Sequence, residues 1–379
     1  MKSRVVLIPC DSYEEEQVYK KLRQGLEVLG GLTAFAKTEE RVLLKLNLVR
    51  GAAAERAVTT HPAVAGALAR IFREQGFFRL AAGDSSGFGS PVRIMQELGL
   101  APVFEKYGVE MKEFKEAVRV DYPQGVHAKQ FMLARDVLEA DALFSVCKMK
   151  THALEHITGA VKNQYGCVQG FHKAKGHTLY SDPVSFARML GDLNRLVKPR
   201  LYIMDGIVAM EGNGPTSGDP VPMGVLLLSA DPVALDSVFC HLVHLDPELA
   251  PTIVQGERMG LGVWRPEEIE LFDGEGPLEL SQAVQKYGNP GFRVKRSRDK
   301  VKGWMGAVGI FKIFRRRPRI LPDLCRKCGV CVESCPVEGK ALSFANGRDK
   351  PPVYDYKKCI RCFCCQEMCP HRAIAVKGH

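Results

Sequence analysis

The last sixty residues constrain this chain more than any other stretch. Cys325, Cys328, Cys331 and Cys335 are followed by Cys359, Cys362, Cys365 and Cys369. Each set reads C-x2-C-x2-C-x3-C and ends in a proline, Pro336 or Pro370, so all five positions recur at an offset of thirty-four residues. Two cysteines separated by two residues can aim thiolates at neighbouring corners of one cuboidal cluster, and the proline ends the turn and sends the fourth cysteine toward the other half. Zinc takes four ligands, usually as two pairs across a long spacer, and has no use for a third cysteine in each run. Disulfides need an oxidising compartment. The N-terminal Met1-Lys2-Ser3-Arg4 leads into Val5-Val6-Leu7-Ile8, which is too short for a secretory apolar region and reads as a strand.

The duplicated spacing resembles that of bacterial-type two-cluster ferredoxins, which hold two 4Fe–4S clusters. The resemblance implies that the first three cysteines of a run bind one cluster and the fourth binds the other. Cys325, Cys328, Cys331 and Cys369 would then hold the first cluster, and Cys359, Cys362, Cys365 and Cys335 the second. Cys364 is out of register and reads as a spare thiol. Cys10, Cys147, Cys167 and Cys240 lie in apolar contexts and read as small core residues. With eight of thirteen cysteines committed to clusters, a reducing cytoplasm is expected, in an anaerobic or nearly anaerobic cell.

Ahead of this module, strand and helix signals alternate. Strands are expected at 4–9, 42–48, 78–82, 142–146, 201–204 and 225–228. A helix is expected from about 14 to 29, and another opens at Thr60-His61-Pro62 with Thr60 as its N-cap. Further helices follow the caps Asp182 and Asp231. This order predicts an α/β fold, a mostly parallel sheet with helices on both faces, plus a small C-terminal α+β ferredoxin-like domain. The expected division is an α/β domain over 1–290, a basic linker over 291–320 and the cluster domain over 321–379. No run of eighteen apolar residues is present, so no transmembrane segment is expected.

The net charge of +10 is local: residues 293–319 carry eleven Lys or Arg and one Asp. Such a stripe can meet nucleic acid, anionic lipid or an acidic protein. Trp304, Phe311 and Phe314 interleave with it, but its place between domains disfavours nucleic acid. A packed interdomain helix or peripheral membrane contact fits it better.

Polar residues cluster at the carboxyl ends of the expected strands, which is where open α/β sheets bind ligands. Residues 148–177 are the richest, with Lys148, Lys150, His152, His156, Lys162, Asn163, His172, Lys173, Lys175 and His177 among four glycines. They suit an anion such as a carboxylate or phosphate, or through their histidines a metal. A basic loop facing the cluster domain is the structural alternative. Residues 205–216, with Asp205, Glu211 and Asn213 on an expected glycine-rich loop, could hold a cation or amine, or be turn chemistry alone. Gly83-Asp84-Ser85 could seat a phosphate, although no nucleotide-binding glycine pattern is present.

Together Thr59-Thr60-His61-Pro62, Gly83-Asp84-Ser85, Lys150-Thr151-His152, Gly159-Ala160-Val161-Lys162-Asn163, Met204-Asp205-Gly206, Glu211-Gly212-Asn213-Gly214-Pro215 and Asp231-Pro232-Val233-Ala234-Leu235-Asp236 resemble domain-of-unknown-function family 362, in the form fused to a two-cluster ferredoxin domain. The resemblance covers nearly the whole chain and implies an iron–sulfur protein with no settled reaction. Its positions supply the candidates: His61, Asp84, Lys150, Asn163, Asp205, Glu211 and Asn213 for substrate binding, and with them Lys162 and His152, joined by His177, for catalysis. The expected function is electron transfer through two clusters by an oxidoreductase acting on an anionic small molecule in the N-terminal domain. The alternative is a non-enzymatic carrier or adaptor that docks a redox partner protein. A further metal or organic cofactor is left open.

Overall fold

The computed structural model describes residues 2–87, 89–297 and 316–377. Most of the basic stripe, with Trp304, Phe311 and Phe314, lies outside the described residues. The main sheet draws on β1 (Ser3–Pro9), β2 (Val42–Lys45), β3 (Leu80–Gly83) and β4 (Val109–Lys112). A separate hairpin, β5 (Ala117–Asp121) and β6 (Gln130–Ala134), intervenes before β7 (Ala142–His152), β8 (His156–Thr158), β9 (Leu201–Glu211), β10 (Asp219–Ser229) and β11 (Ile269–Phe272). The order is β11-β1-β10-β9-β7-β2-β3-β4, with β8 returning on β7. β4, β3, β2, β7 and β9 run parallel, while β10 runs antiparallel to both β9 and β1. The sheet is therefore mixed but mostly parallel.

Alternation within the strands explains the layers. Val5, Leu7 and Leu43 point into one core, and Val6, Ile8, Val42 and Leu44 into the other. The second core is covered by α1 (Glu15–Val28) and α2 (Pro62–Glu74), through Leu22, Leu26, Leu68 and Phe72. After α3 (Pro91–Glu97), α4 (Leu100–Lys106), α5 (Arg135–Glu139), α6 (Ala160–Asn163) and α7 (Gly170–Leu179), the first core is closed by α8 (Pro183–Val197) and α9 (Pro232–Leu242), with Phe186, Leu190, Leu193 and Phe239.

Asp182 and Asp231 cap their helices as expected. Thr60 does not. His61 Nδ1 accepts from Ala63 N to cap α2, while the Thr60 hydroxyl donates to Val146 O and accepts from Asn47 N. Two strands outrun their expected ends. β7 and β9 are eleven residues each, so Lys148, Lys150 and Asp205 lie within strands, not on loops.

The cluster module pairs β12 (Arg317–Ile320) with β16 (Ile374–Lys377), and β13 (Leu342–Ser343) with β15 (Val353–Tyr354), past the short strand β14 (Ala345–Arg348). β12 thus begins inside the stretch the sequence suggests is linker. After α10 (Pro251–Arg258) and α11 (Leu280–Tyr287) of the α/β half, the short helices α12 (Val330–Glu333) and α13 (Cys364–Met368) carry cysteines of the two runs. α13 packs on the α/β domain. Gln366 Nε2 donates to Asn213 O at 2.8 Å and to Gly214 O at 3.2 Å, Thr216 Oγ1 donates to Glu367 O at 2.7 Å, and Asn213 Nδ2 donates to Ile374 O at 2.8 Å.

Candidate functional site at the domain interface

Cys325, Cys328, Cys331 and Cys369 line one small cavity. Burial, followed by the neighbouring Cys369, Cys325 and Cys328, pushes the Cys331 thiol up to about 12. The Cys359 thiol is raised by burial, with Cys362 and Cys335 as its charged neighbours. Cys369 thus lies with the first run and Cys335 beside Cys359, and these thiols are the donors that an iron–sulfur site needs. Among the described residues, no three His, Cys, Asp or Glu side chains are set to hold a single metal ion.

Between the two halves lies a cavity of about 160 Å3. One wall is the carboxyl edge of the sheet, with Asn47, Asp84, Lys162 and Asn163. A second is the inner face of α7, where Gly170, Lys173, Ala174 and His177 fall at helical spacing. The third comes from the cluster module: Ser334, Cys364, Glu367 and Met368.

Each wall is pinned locally. Lys45, fully buried at the end of β2, places Nζ 2.9 Å from Asp84 Oδ1. Asp84 also accepts from Leu48 N at 2.6 Å and Ser85 N at 2.7 Å. Asn163 reaches Lys45 Nζ and Ser145 Oγ. Lys173 Nζ donates to Ser85 O, and burial lowers it to about 8. His177 stacks on Phe186 with ring centroids 4.7 Å apart. Burial pulls it down to about 4, and its Nδ1 is buried without a hydrogen-bond partner among the described residues.

His152 closes the β7–β8 hairpin. Its Nδ1 accepts from Leu154 N and Glu155 N, so the ring proton sits on Nε2, 2.9 Å from Glu367 Oε1. Burial, aided by Lys162, pulls His152 down to about 4. Burial alone would raise Glu367, but Lys162 and then His152 reverse that and hold the carboxylate well below its usual range. The Cys364 thiol is pushed well up by its hydrogen bond with Cys362 and by burial.

Of the sequence-predicted residues, Asp84, Lys162, Asn163 and His177 line the cavity, and His152 touches its wall through Glu367. Lys150 stands one layer behind. Its Nζ donates to Asn47 Oδ1 and Val58 O at 2.8 Å, and burial lowers it to about 7. The others lie elsewhere. Asp205 pairs with Lys148 at 2.6 Å and accepts from Tyr13 OH and His61 N. His61 stacks on Tyr13 in that same network. Glu211 holds Arg293 at 2.6 Å on the outer side, and Asn213 is a domain-docking residue. Sequence reasoning missed Glu367, Tyr165 and the cavity position of Cys364. Glu367 lies inside the second cysteine run, where the cluster pattern draws all the attention.

An α/β sheet whose carboxyl edge is closed by a cysteine-rich module defines an iron–sulfur protein with an electron-transfer domain. Residues 42–241 match the domain of unknown function DUF362, and residues 317–370 match the 4Fe–4S dicluster domain. The chain belongs to the DUF362 family. It is 37% identical over 283 residues to a thylakoid-associated protein of Synechocystis sp., covering 74% of this chain and 86% of that protein. A stretch of 90 residues is 33% identical to one component of the H2:CoB-CoM heterodisulfide, ferredoxin reductase of Methanothermobacter thermautotrophicus, covering 20% of this chain and 14% of that one. Among solved structures, the lactate racemase apoprotein from Thermoanaerobacterium thermosaccharolyticum is similar at a TM-score of 0.43 and 12% identity, over 60% of this chain and 54% of that chain. No helix among the described residues is long and apolar enough to cross a membrane.

Proposed function

We propose that this protein is an oxidoreductase that acts on a small anion bound in the interdomain cavity. The observation that carries the reading is the composition of the cavity wall. Lys162 and His177 from the α/β half face Cys364 and Glu367, which flank ligands of the second cysteine set. Bound clusters would supply single electrons there.

The protein's own residues supply binding and protons. Lys162 makes no direct hydrogen bond among the described residues, acts on Glu367 through space, and offers a bound anion its counter-charge. The Lys45–Asp84 pair cancels. Lys162 and Lys173 against Glu367 then leave an excess of one positive charge, which a monoanion would neutralise in a site where unpaired charge is costly. Lys173, at about 8, remains protonated near neutral pH and can give up a proton, and His177 offers a neutral ring. The alternative, a carrier or adaptor without turnover, gains from the placement of Asp205 and Glu211 outside the cavity.

The test is reoxidation. Anaerobically reduced protein is mixed with a panel of small carboxylates, phosphate esters and inorganic oxyanions, and the visible absorbance is followed. One of them should accelerate reoxidation in the parent and not in Lys162→Ala. If no anion does so, or if the acceleration survives in Lys162→Ala, the carrier reading stands instead.

A further inference from the structure

The two cysteine sets face different surroundings. Cys362 and Cys365 are buried, with Cys364 between them facing the cavity. Of all thirteen cysteines, Cys328 is the exposed one. An electron bound for the cavity must enter the module elsewhere; Cys359 of the second set is half-buried, and Cys328 of the first is the ligand thiolate that reaches furthest into solvent.

That place is also charged. Arg326 is exposed beside Cys328. Lys327 Nζ donates to Asp349 O at 2.9 Å and so draws the 347–350 turn alongside. Arg348 on that turn lies over Gly329, where an added Cβ would stand 3.3 Å from its guanidinium. Lys350 follows, exposed. Four cations thus collect around one accessible ligand, against the acids Asp323 and Asp349. Leu324, 47% exposed, adds an apolar contact at the same edge. A surface of this kind steers an oppositely charged protein and fixes its orientation more than it adds affinity.

We propose that the edge around Cys328, with Arg326, Lys327, Arg348 and Lys350, is the docking surface for an acidic electron-transfer protein. The proposal rests on the cysteine assignment and holds whether or not the cavity turns over a substrate.

The experiment is stopped-flow reduction of the oxidised, cluster-loaded chain by a reduced acidic two-cluster ferredoxin. The second-order rate constant should fall roughly tenfold or more as salt rises from about 20 mM to about 500 mM, because screening shortens the reach of surface charge. Arg326→Glu combined with Arg348→Glu should lower it about tenfold at low salt. Iron content and reduction by a neutral photoreduced deazaflavin should be unchanged. A salt-independent rate in the parent overturns the proposal without any variant. So does a charge-reversed chain with full iron content that the ferredoxin reduces as fast as the parent.

Discussion

Two glycines line the same cavity, and alanine should be costly at one and nearly neutral at the other. At Gly166 an added Cβ would stand 2.0 Å from Asp84 Oδ1 and 2.5 Å from Lys45 Nζ. Real contacts of a Cβ stop near 3.0 Å, so the carboxylate or the backbone must retreat by about 1 Å. The carboxylate cannot do so freely, because Lys45 and the Leu48 and Ser85 amides hold it. Retreat breaks a buried ion pair, which costs about 3–5 kcal/mol when one charge loses its partner. At Gly170 the nearest atom to an added Cβ is Ser85 Oγ at 3.6 Å, ordinary contact. Gly170→Ala should therefore lie within about 1 kcal/mol of the parent. Anaerobic denaturant unfolding followed by far-ultraviolet circular dichroism measures both. Thermal unfolding should show Gly166→Ala lower by roughly 5–8 °C, taking about 2.1 cal/mol/K per residue over the α/β half. If Gly166→Ala were as stable as Gly170→Ala, the Lys45–Asp84 pair would not be a fixed wall of the site.

Other outcomes follow from the same geometry. Cys328→Ala and Cys362→Ala should each lose one cluster and leave the other largely intact; full iron and sulfide in either would show the ligand sets to be wrong. His177 is neutral in the fold, with its pKa lowered from 6.5 to about 4 by burial. Its contribution is present above pH 6.5 and is lost as pH falls toward 4, so the parent should lose about 2 kcal/mol more than His177→Gln between about pH 7 and pH 5. Parallel stability profiles would exclude that role. Gln366→Leu keeps the volume but strips the Asn213 and Gly214 carbonyls of their buried donor, at a cost of about 2–3 kcal/mol. An unchanged unfolding midpoint would mean that those carbonyls find other partners.

The sequence made some features legible and concealed others for physical reasons. Duplicated cysteines and helix caps are local codes: the first mark the 4Fe–4S dicluster domain over 317–370, and Asp182 and Asp231 cap the helices expected to follow them. The lengths of β7 and β9 did not. Lys148 and Lys150 suggested strand ends because charges seldom lie in a sheet interior. Here Lys148 is neutralised across the sheet by Asp205, fifty-seven positions away, and Lys150 is tied to Asn47 and Val58. Pairing at that separation leaves no periodic trace. The antiparallel course of β10 was hidden too, since a continuous apolar run suits either direction. The capping of α2 by His61 is a tertiary outcome, because Thr60 is drawn away by Val146 O.

The cavity itself could not have been read from either half alone. His152 spends one ring nitrogen on its own hairpin, so its Nε2 proton needs a partner that the α/β half does not supply; Glu367 stands 2.9 Å away. Gln366 serves the reverse need, answering carbonyls of the 213–214 turn. Docking thus pairs polar groups that each half, alone, would leave to water, and buried groups left unpaired are costly. The groups that docking does not pair are therefore informative. Among the described residues, His177 Nδ1 remains buried without a hydrogen bond, and Lys162 acts on Glu367 only through space. Both residues line the cavity that the two halves build together. That cation and that imidazole are the groups the proposed anion would meet, and an anion placed there would complete a polar lining that the docked halves leave partly unanswered.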